Sequence, residues 1–344
     1  MKPLKSIILA LAATALTACS SDDSETTPQT PQTPQPQQKR QISISVSEKP
    51  FATPDGASVK GLNTRGAILT TPTLNEFYMT GVYGSKPFTD DKTATKTETG
   101  KWNAMTDYWP ETAETDDMVN WYAYNYANTA ETGTFNLTDD EFKRPYLDFT
   151  VEEEPVSQLD LLTSKTSDTW ANCGGNLFFE FDHACAALRF YVKKAKNLAD
   201  YSLTVSDAWL CNVWKEGEFY LDDNTWILDE EKGKQNHPLY RDHGQGRTLN
   251  LSDTEFQALD SHDDPYLFLI PQSLTAWDAA GNAEGCYIKL TCQIVRKADN
   301  VVVFNGDAYF PFAATLAKGI QYDVNVNIGK DFLYNPDGTK IIND

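Results

Sequence analysis

The sequence is poor in histidine and in basic residues, and it has no long hydrophobic run. Four His among 344 residues leave little material for histidine-based catalysis or for a histidine-rich metal site. The 29 Lys and Arg stand against 49 Asp and Glu, a net charge of −20 without a local basic patch. Such a charge opposes binding to nucleic acid or to an anionic lipid surface. We therefore expect no nucleic-acid partner.

The motifs that carry enzyme chemistry are also missing. No Ser or Cys nucleophile motif accompanies His183, which follows a dense apolar strand pattern and is expected to be a core histidine bonded to backbone. The histidines and aspartates between residues 235 and 265 match no familiar metal-binding spacing. The sequence predicts no catalytic residue, no metal site and no cofactor, and it favours a non-enzymatic protein.

Residues 1–18 have the form of a lipoprotein export signal. Two lysines precede an apolar run from 7 to 16, which is too short to cross roughly 30 Å of hydrocarbon. The next residues complete Leu16-Thr17-Ala18-Cys19, the form of a bacterial lipobox. This motif predicts cleavage between Ala18 and Cys19 and a lipid on the Cys19 thiol. An ordinary secretory signal with an incidental Cys is the alternative.

Residues 19–40 are predicted to form a tether. Positions 20–38 contain no apolar residue that could contribute to a core, and all aromatic residues of the chain lie after residue 40. The repeated Thr-Pro-Gln favours extended polyproline II, so about twenty residues at ~3.1 Å each reach roughly 60 Å. We expect the folded part to be held well away from the membrane.

From residue 41 onward, apolar residues recur with a period of two, which is typical of half-buried strands. The alternation is clearest over residues 42–46, 119–123, 177–181 and 322–328. Turn signals rich in Pro, Gly, Asn and Asp separate these runs, and helical spacing is scarce. This pattern predicts an all-β protein of antiparallel β-sandwiches, and the length suggests two domains. We place an N-terminal sandwich at 41–170 and a C-terminal sandwich at 171–344.

Five segments, in order along the chain, resemble the fimbrillin-like proteins of Bacteroidales. They are Asp107-Tyr108-Trp109-Pro110 with Val119-Asn120-Trp121-Tyr122-Ala123-Tyr124; Gln158-Leu159-Asp160-Leu161-Leu162; Leu177-Phe178-Phe179-Glu180-Phe181-Asp182-His183-Ala184 with Leu188-Arg189-Phe190; Leu269-Ile270-Pro271-Gln272; and Ala317-Lys318-Gly319-Ile320-Gln321-Tyr322-Asp323-Val324. The resemblance implies a type V pilus subunit, or a related surface lipoprotein, built from two tandem transthyretin-like β-sandwiches. It also implies a role in cell adhesion, a host or bacterial surface ligand, and a lipid anchor in the outer membrane before assembly into the fimbrium.

The resemblance further implies maturation by strand removal. In that family an Arg-specific protease removes the N-terminal strand, and the vacated groove accepts a donor strand from the next subunit by β-strand addition. The matching positions are Ile42, Ile44 and Val46 for the strand and the Arg65–Gly66 bond for the cut, so residues 41–65 would leave. Burial of those three apolar side chains should contribute about 1.5 to 3 kcal/mol each. The alternative for Arg65 is an uncleaved arginine in a surface loop.

Residues 330–344 bear on the kind of subunit. Stalk subunits of the family need a C-terminal donor strand, whereas tip subunits can lack one. Pro336 and Gly338 suit the second and fourth positions of a type I turn, so this segment predicts a closing hairpin. The pattern slightly favours a tip or accessory subunit over a stalk subunit.

The competing hypothesis is a surface-tethered lipoprotein that binds glycans or another ligand through exposed aromatic rings. Trp209, Trp214, Trp226 and Trp277 could form such a platform, although packing between strands is the more usual environment of Trp. A removable edge strand at 42–46 would favour the pilus subunit, and coplanar exposed Trp rings would favour the binder. Five Cys remain besides Cys19, an odd number, and we expect buried free thiols.

Overall fold

The computed structural model describes residues 39–53, 73–104, 108–126, 145–241, 248–259 and 266–342. Over these ranges the regular secondary structure is almost entirely β-strand, with one short α-helix, α1 (Trp170–Cys173), and four single-turn 3₁₀ helices (Pro155–Ser157, Lys196–Leu198, Glu230–Lys232 and Lys330–Phe332). The predicted all-β class is confirmed. No helix of the described residues is long and apolar enough to cross a membrane.

In chain order the strands are β1 Ser43–Glu48, β2 Glu76–Tyr83, β3 Lys86–Lys96, β4 Trp102–Ala104, β5 Met118–Tyr124, β6 Tyr146–Thr150, β7 Leu162–Thr169, β8 Asn176–His183, β9 Ala186–Lys194, β10 Tyr201–Trp214, β11 Glu216–Tyr220, β12 Thr225–Leu228, β13 Lys234–Arg241, β14 Leu249–Asn250, β15 Gln257–Leu259, β16 Leu267–Leu269, β17 Ser273–Leu274, β18 Tyr287–Arg296, β19 Val301–Pro311, β20 Ala314–Thr315 and β21 Gln321–Ile328.

A seven-stranded sheet carries the N-terminal part, in the order β1-β8-β7-β5-β2-β3-β4. The sheet curls on itself, so that Cα atoms of its two edge strands, β1 and β4, come within 8 Å of each other. Alternate side chains point into the curl and form one apolar cluster that includes Phe77, Trp121 and Phe179. The period of two in the sequence is therefore the period of this buried face.

The remaining strands surround a second, larger cluster of buried side chains. One sheet has the order β13-β10-β18-β19, with β14 also paired to β10, and another has β15-β9-β16, with β21 also paired to β9. Two smaller groups, β12-β11-β6 and β17-β20, complete the arrangement. Strands such as β11 and β18 bury alternate residues, as the sequence predicts, whereas β9 and β16 bury successive residues.

Two strand pairs of the described residues are parallel, which differs from the purely antiparallel expectation. β1 runs parallel to β8, and β21 runs parallel to β9. In both cases a long stretch of chain separates the partners, whereas a tight hairpin would force them to be antiparallel. Alternation of apolar residues identifies a strand but carries no information on its direction.

The domain division at residues 170 and 171 stays a prediction. It falls between β7 and β8, which are neighbours in the seven-stranded sheet with Leu162 opposite His183. A second pairing joins β6, before that point, to β11, after it. Backbone hydrogen bonds therefore connect the two predicted halves.

The C-terminal segment folds back on the rest of the chain as the predicted closing turn. The Gly338 N–H donates to the Asn335 carbonyl at 2.9 Å, and Tyr334 forms bridges with Tyr309 and Lys340. Leu333 and Ile342 are buried. The five cysteines of the described residues are free thiols, four of them buried and Cys173 partly buried.

Candidate functional site

The N-terminal strand β1 lies at an edge of the seven-stranded sheet and buries its apolar side chains there. Ile42 and Ile44 are 5% and 8% exposed, and Val46 packs against the same cluster. Ile44 stands opposite Leu177 and Val46 opposite Phe179, on the buried face of β8. Within the described ranges, β8 is the one strand that pairs with β1.

Both ends of β1 are held by the same chain. On the N-terminal side, the Trp109 N–H donates to the Arg40 carbonyl at 2.8 Å, and the Arg40 guanidinium donates to the Ala113 carbonyl. On the C-terminal side, Ala52 exchanges backbone hydrogen bonds with Gly319 and Gln321, just before and at the start of β21. Residues 39–53 therefore connect the edges of two sheets.

The fourth inward position of β1 holds a carboxylate. Glu48 follows Ile42, Ile44 and Val46 on the same face, and its side chain is 11% exposed. Glu48 stands opposite Phe181 in the register, and the next inward position of β8 holds His183, which is 2% exposed. His183 Nε2 lies 3.4 Å from Glu48 Oε1, and His183 Nδ1 lies 2.9 Å from Oδ1 of the buried Asp160.

The charge of His183 depends on these two carboxylates. Burial by itself lowers the pKa of His183, but the contacts with Asp160 and Glu48 outweigh it and raise that pKa to about 9. The ring also stacks on Phe51, with centroids 3.7 Å apart. We call Glu48, Phe51, Asp160 and His183 the histidine cluster. The distance of 3.4 Å between His183 Nε2 and Glu48 Oε1 is long for a hydrogen bond, so Glu48 acts chiefly through its charge.

The outward face of β1 carries a different kind of contact. Lys49 Nζ lies 3.1 Å from both Glu180 and Asp182, and all three side chains are at least one-third exposed. Exposed ion pairs of this kind contribute at most about 1 kcal/mol, because water and salt screen them. The inward and outward charges at this end of β1 therefore differ in their environment.

The sequence-predicted site residues divide into two groups. Ile42, Ile44 and Val46 lie together against β8, whereas Ala18, Cys19, Arg65 and Gly66 lie outside the described residues.

The sequence interpretation missed the histidine cluster. It expected a backbone partner for His183, and the structure gives the ring a carboxylate on Nδ1 instead. The available signal was the alternation itself, which continues from Val46 to Glu48 and from Phe181 to His183 and so places a carboxylate and an imidazole on buried faces.

The four tryptophans considered for a binding platform have partners of their own. Trp226 packs against Phe149 and Phe219 and donates its indole N–H to the Ala184 carbonyl, and Trp277 is 6% exposed. The guanidinium of Arg241 lies 4.1 Å from the Trp209 ring centroid, and the ammonium of Lys234 lies 4.8 Å from that of Trp214. These four rings do not form a shared exposed surface.

A surface cavity of about 410 Å³ lies beside Trp277 and Tyr334. Its two carboxylates belong to local turns, since Asp278 accepts from the Ala280 N–H and Asp337 from the Thr339 N–H. No group of three or more His, Cys, Asp or Glu suited to a metal ion occurs in the part of the chain that the structure describes. His237, one of the histidines considered for a metal site, is fully buried, and its burial lowers its pKa to about 4.

Comparison with known proteins gives a family and a fold. The family model described as fimbrillin-like matches residues 55–344, and no curated protein matches the chain. A fimbrial protein from Bacteroides vulgatus is similar in structure, with 18% identity, a TM-score of 0.53, and coverage of 83% of this chain and 95% of that one. A protein from Bacteroides ovatus provisionally assigned to cell adhesion has 12% identity, a TM-score of 0.48, and coverage of 86% and 95%. A fimbrial assembly protein from Parabacteroides distasonis has 12% identity, a TM-score of 0.44, and coverage of 85% and 92%.

Proposed function

Because this chain belongs to the fimbrillin-like family, we propose that it is a non-enzymatic fimbrial subunit of the outer cell surface. It is exported as a lipoprotein through Cys19 and lipid-anchored in the outer membrane. Cleavage after Arg65 then removes the N-terminal strand, and strand exchange with other subunits follows. Its role in the fimbrium is adhesion to a host or bacterial surface.

The position of β1 is the observation that carries this proposal. The strand is at a sheet edge, so its departure breaks the hydrogen-bond ladder with one neighbour only, β8. The departure of β1 leaves a groove bounded by β8 on one side and by β4 on the other, because the curl of the sheet brings β4 close to β1. The groove is lined by apolar residues such as Leu177 and Phe179, which a strand with alternating apolar side chains would cover again.

The C-terminal segment supports a tip or accessory subunit. Tyr334 and Tyr309 exchange backbone hydrogen bonds at 2.8 and 3.0 Å, and Leu333 and Ile342 are buried in the larger cluster. A segment held in this way by its own subunit is not free to fill the groove of another. The occupied Trp rings weigh against the alternative, a glycan-binding lipoprotein, since such platforms need exposed aromatic faces.

The test combines proteolysis with a measurement of assembly. The purified, unlipidated chain is incubated with an Arg-specific protease, the new N-terminus is sequenced, and particle size is followed by light scattering with and without a stalk subunit. We expect a new N-terminus at Gly66 and association with the stalk subunit after the cut. Arg65→Gln should block both, whereas the matched control Arg40→Gln should block neither.

Two outcomes would contradict parts of the proposal. A protein cut at Arg65 that stays monomeric even with the stalk subunit present would contradict strand exchange. Export is tested separately with Cys19→Ser, which should abolish metabolic labelling by palmitate and release the chain from the outer-membrane fraction. Labelling that persists in Cys19→Ser would contradict the lipidation site.

A further inference from the structure

The groove occupied by β1 is apolar for three inward positions and charged at the fourth. The first three inward residues contact a hydrocarbon surface, but the fourth, Glu48, faces the buried His183. A donor strand that replaces β1 therefore meets a chemical requirement that apolar alternation alone does not satisfy.

The requirement follows from the two ring nitrogens of His183. Asp160 occupies Nδ1 at 2.9 Å, so the ring keeps Nε2 for the position of residue 48. The two groups that hold this arrangement, Asp160 and His183, both lie outside the removable segment and remain when β1 leaves. The cavity at residue 48 is thus prepared by the acceptor subunit.

Each kind of side chain at that position has a definite consequence. An apolar side chain removes the opposite charge beside Nε2 and leaves the buried imidazolium with the Asp160 carboxylate alone. A Lys or Arg puts a second positive charge beside the imidazolium. A carboxylate supplies the opposite charge close to Nε2, as Glu48 does at 3.4 Å. The Phe51 ring, which stacks on the imidazole, leaves together with β1. That face of the imidazole is then open to the incoming segment as well.

We propose that the groove vacated by β1 selects its partner strand by charge as well as by shape. The occupant is a segment of another fimbrial subunit with apolar residues at three alternate positions and Asp or Glu at the fourth, lying parallel to β8 so that the carboxylate reaches His183. This inference rests on the proposed strand exchange, and it adds the chemistry of the partner.

The experiment uses the full chain cut after Arg65 and chased with fluorescent peptides that cover residues 41–52. Three peptides are compared by anisotropy: the natural sequence, Glu48→Gln, and the matched control Lys49→Gln, which changes an outward charge of the same strand. We expect Glu48→Gln to bind on the order of 10- to 100-fold more weakly than the natural peptide, as buried ion pairs in interfaces do. The affinity of the Lys49→Gln peptide should differ from that of the natural peptide by about threefold or less.

The variation lies in the peptide, so the folding of the acceptor is not at stake. A second acceptor, with His183→Gln, completes a double-mutant cycle where that variant folds. On this acceptor the natural and Glu48→Gln peptides should bind equally, because the imidazolium that attracts the Glu48 carboxylate is gone.

The outcomes separate this inference from the proposed function. Equal binding of the natural and Glu48→Gln peptides to the cut chain would overturn selection by charge and leave strand exchange intact. If none of the three peptides replaces the cut strand, strand exchange itself fails and the inference fails with it. A loss of binding with Lys49→Gln as large as that with Glu48→Gln would also overturn it, since the effect would then be one of overall charge.

Discussion

Two edge strands, β1 and β21, each pair in parallel with a longer neighbour, and they differ in chemistry. Each is alternating, each lies beside one long strand, and Ala52 after β1 even pairs with the residues at the start of β21. The inward residues of β21 are all apolar, Tyr322, Val324, Val326 and Ile328. The inward residues of β1 end instead on Glu48. A strand held by packing alone accepts any sequence of suitable shape, whereas a buried charge adds a condition on identity.

The charges of β21 point the other way. Asp323 accepts three hydrogen bonds from Arg189 at 2.8 to 3.1 Å, but its carboxylate is 48% exposed. Water reaches this carboxylate, and the Arg189 guanidinium also lies over two tyrosine rings. The comparison therefore makes a graded set of expectations, in which charges of the histidine cluster matter most and the outward charge of β21 matters least.

The largest effect is expected from Asp160→Asn. The change removes the carboxylate charge that faces Nδ1 of His183. The buried imidazolium is left with a single carboxylate, so we expect a loss of about 3 to 5 kcal/mol in the free energy of unfolding. Urea denaturation of the intact chain measures it. The control is Asp182→Asn on the outward face of β8, with an expected loss below about 1 kcal/mol. Similar losses for both variants would show that burial of the charge is not decisive.

Stability should also depend on pH through His183. Its pKa of about 9 in the folded chain exceeds the ordinary 6.5, so the stabilisation is complete below pH 6.5 and is lost as the pH rises through 9. The groups facing the ring are Asp160 and Glu48, and the nearby Cys185 thiol stays neutral because burial raises its pKa. We expect a fall of about 3 kcal/mol in the free energy of unfolding between these pH values.

Urea denaturation across that pH range makes the measurement, and His183→Gln is the control. The variant should show a nearly flat profile over the same range. A natural chain whose stability does not change between pH 6.5 and 9 would mean that His183 is uncharged in the fold.

A smaller loss is expected from Glu48→Gln in the intact chain. The amide keeps the size of the side chain and removes its charge, while Asp160 still holds the other ring nitrogen, so about 2 kcal/mol should be lost. Hydrogen exchange should show faster exchange of the β1 amides, which donate to β8, than of the β21 amides. Equal acceleration in both strands would contradict a local role for Glu48.

Much of this fold follows from the sequence, and the rest depends on contacts between distant residues. Alternation locates β1, β8 and β21, and Asn335 to Gly338 forms the turn that its Pro and Gly predict. Strand direction and partner are not encoded in a period of two, so the parallel pairing of β1 with β8 was missed. Asp160 lies 23 residues from His183, and no local pattern links them.

The candidate site was therefore half predictable. Ile42, Ile44 and Val46 follow from their apolar character, because burial of an apolar face needs no knowledge of the partner. The role of Glu48 needs the register with β8, which sets it opposite Phe181, one inward position before His183, so that its carboxylate reaches the ring. Register is a property of two strands together, and a single strand does not show it.

The smallest effect is expected from Asp323→Asn, and it completes the comparison of the two edge strands. Arg189 keeps contacts with the Tyr266 and Tyr191 rings, whose centroids lie 5.1 and 5.8 Å from its guanidinium, so its charge is not left alone. The half-exposed carboxylate should contribute about 1 kcal/mol or less, and raising the salt concentration should remove most of it. Urea denaturation at low and high salt makes the measurement, beside Glu48→Gln under the same conditions. The effect of Glu48→Gln should persist at high salt, because counterions do not reach a buried pair. If instead both effects vanished with salt, the two strands would be held in the same way and the distinction between them would be lost.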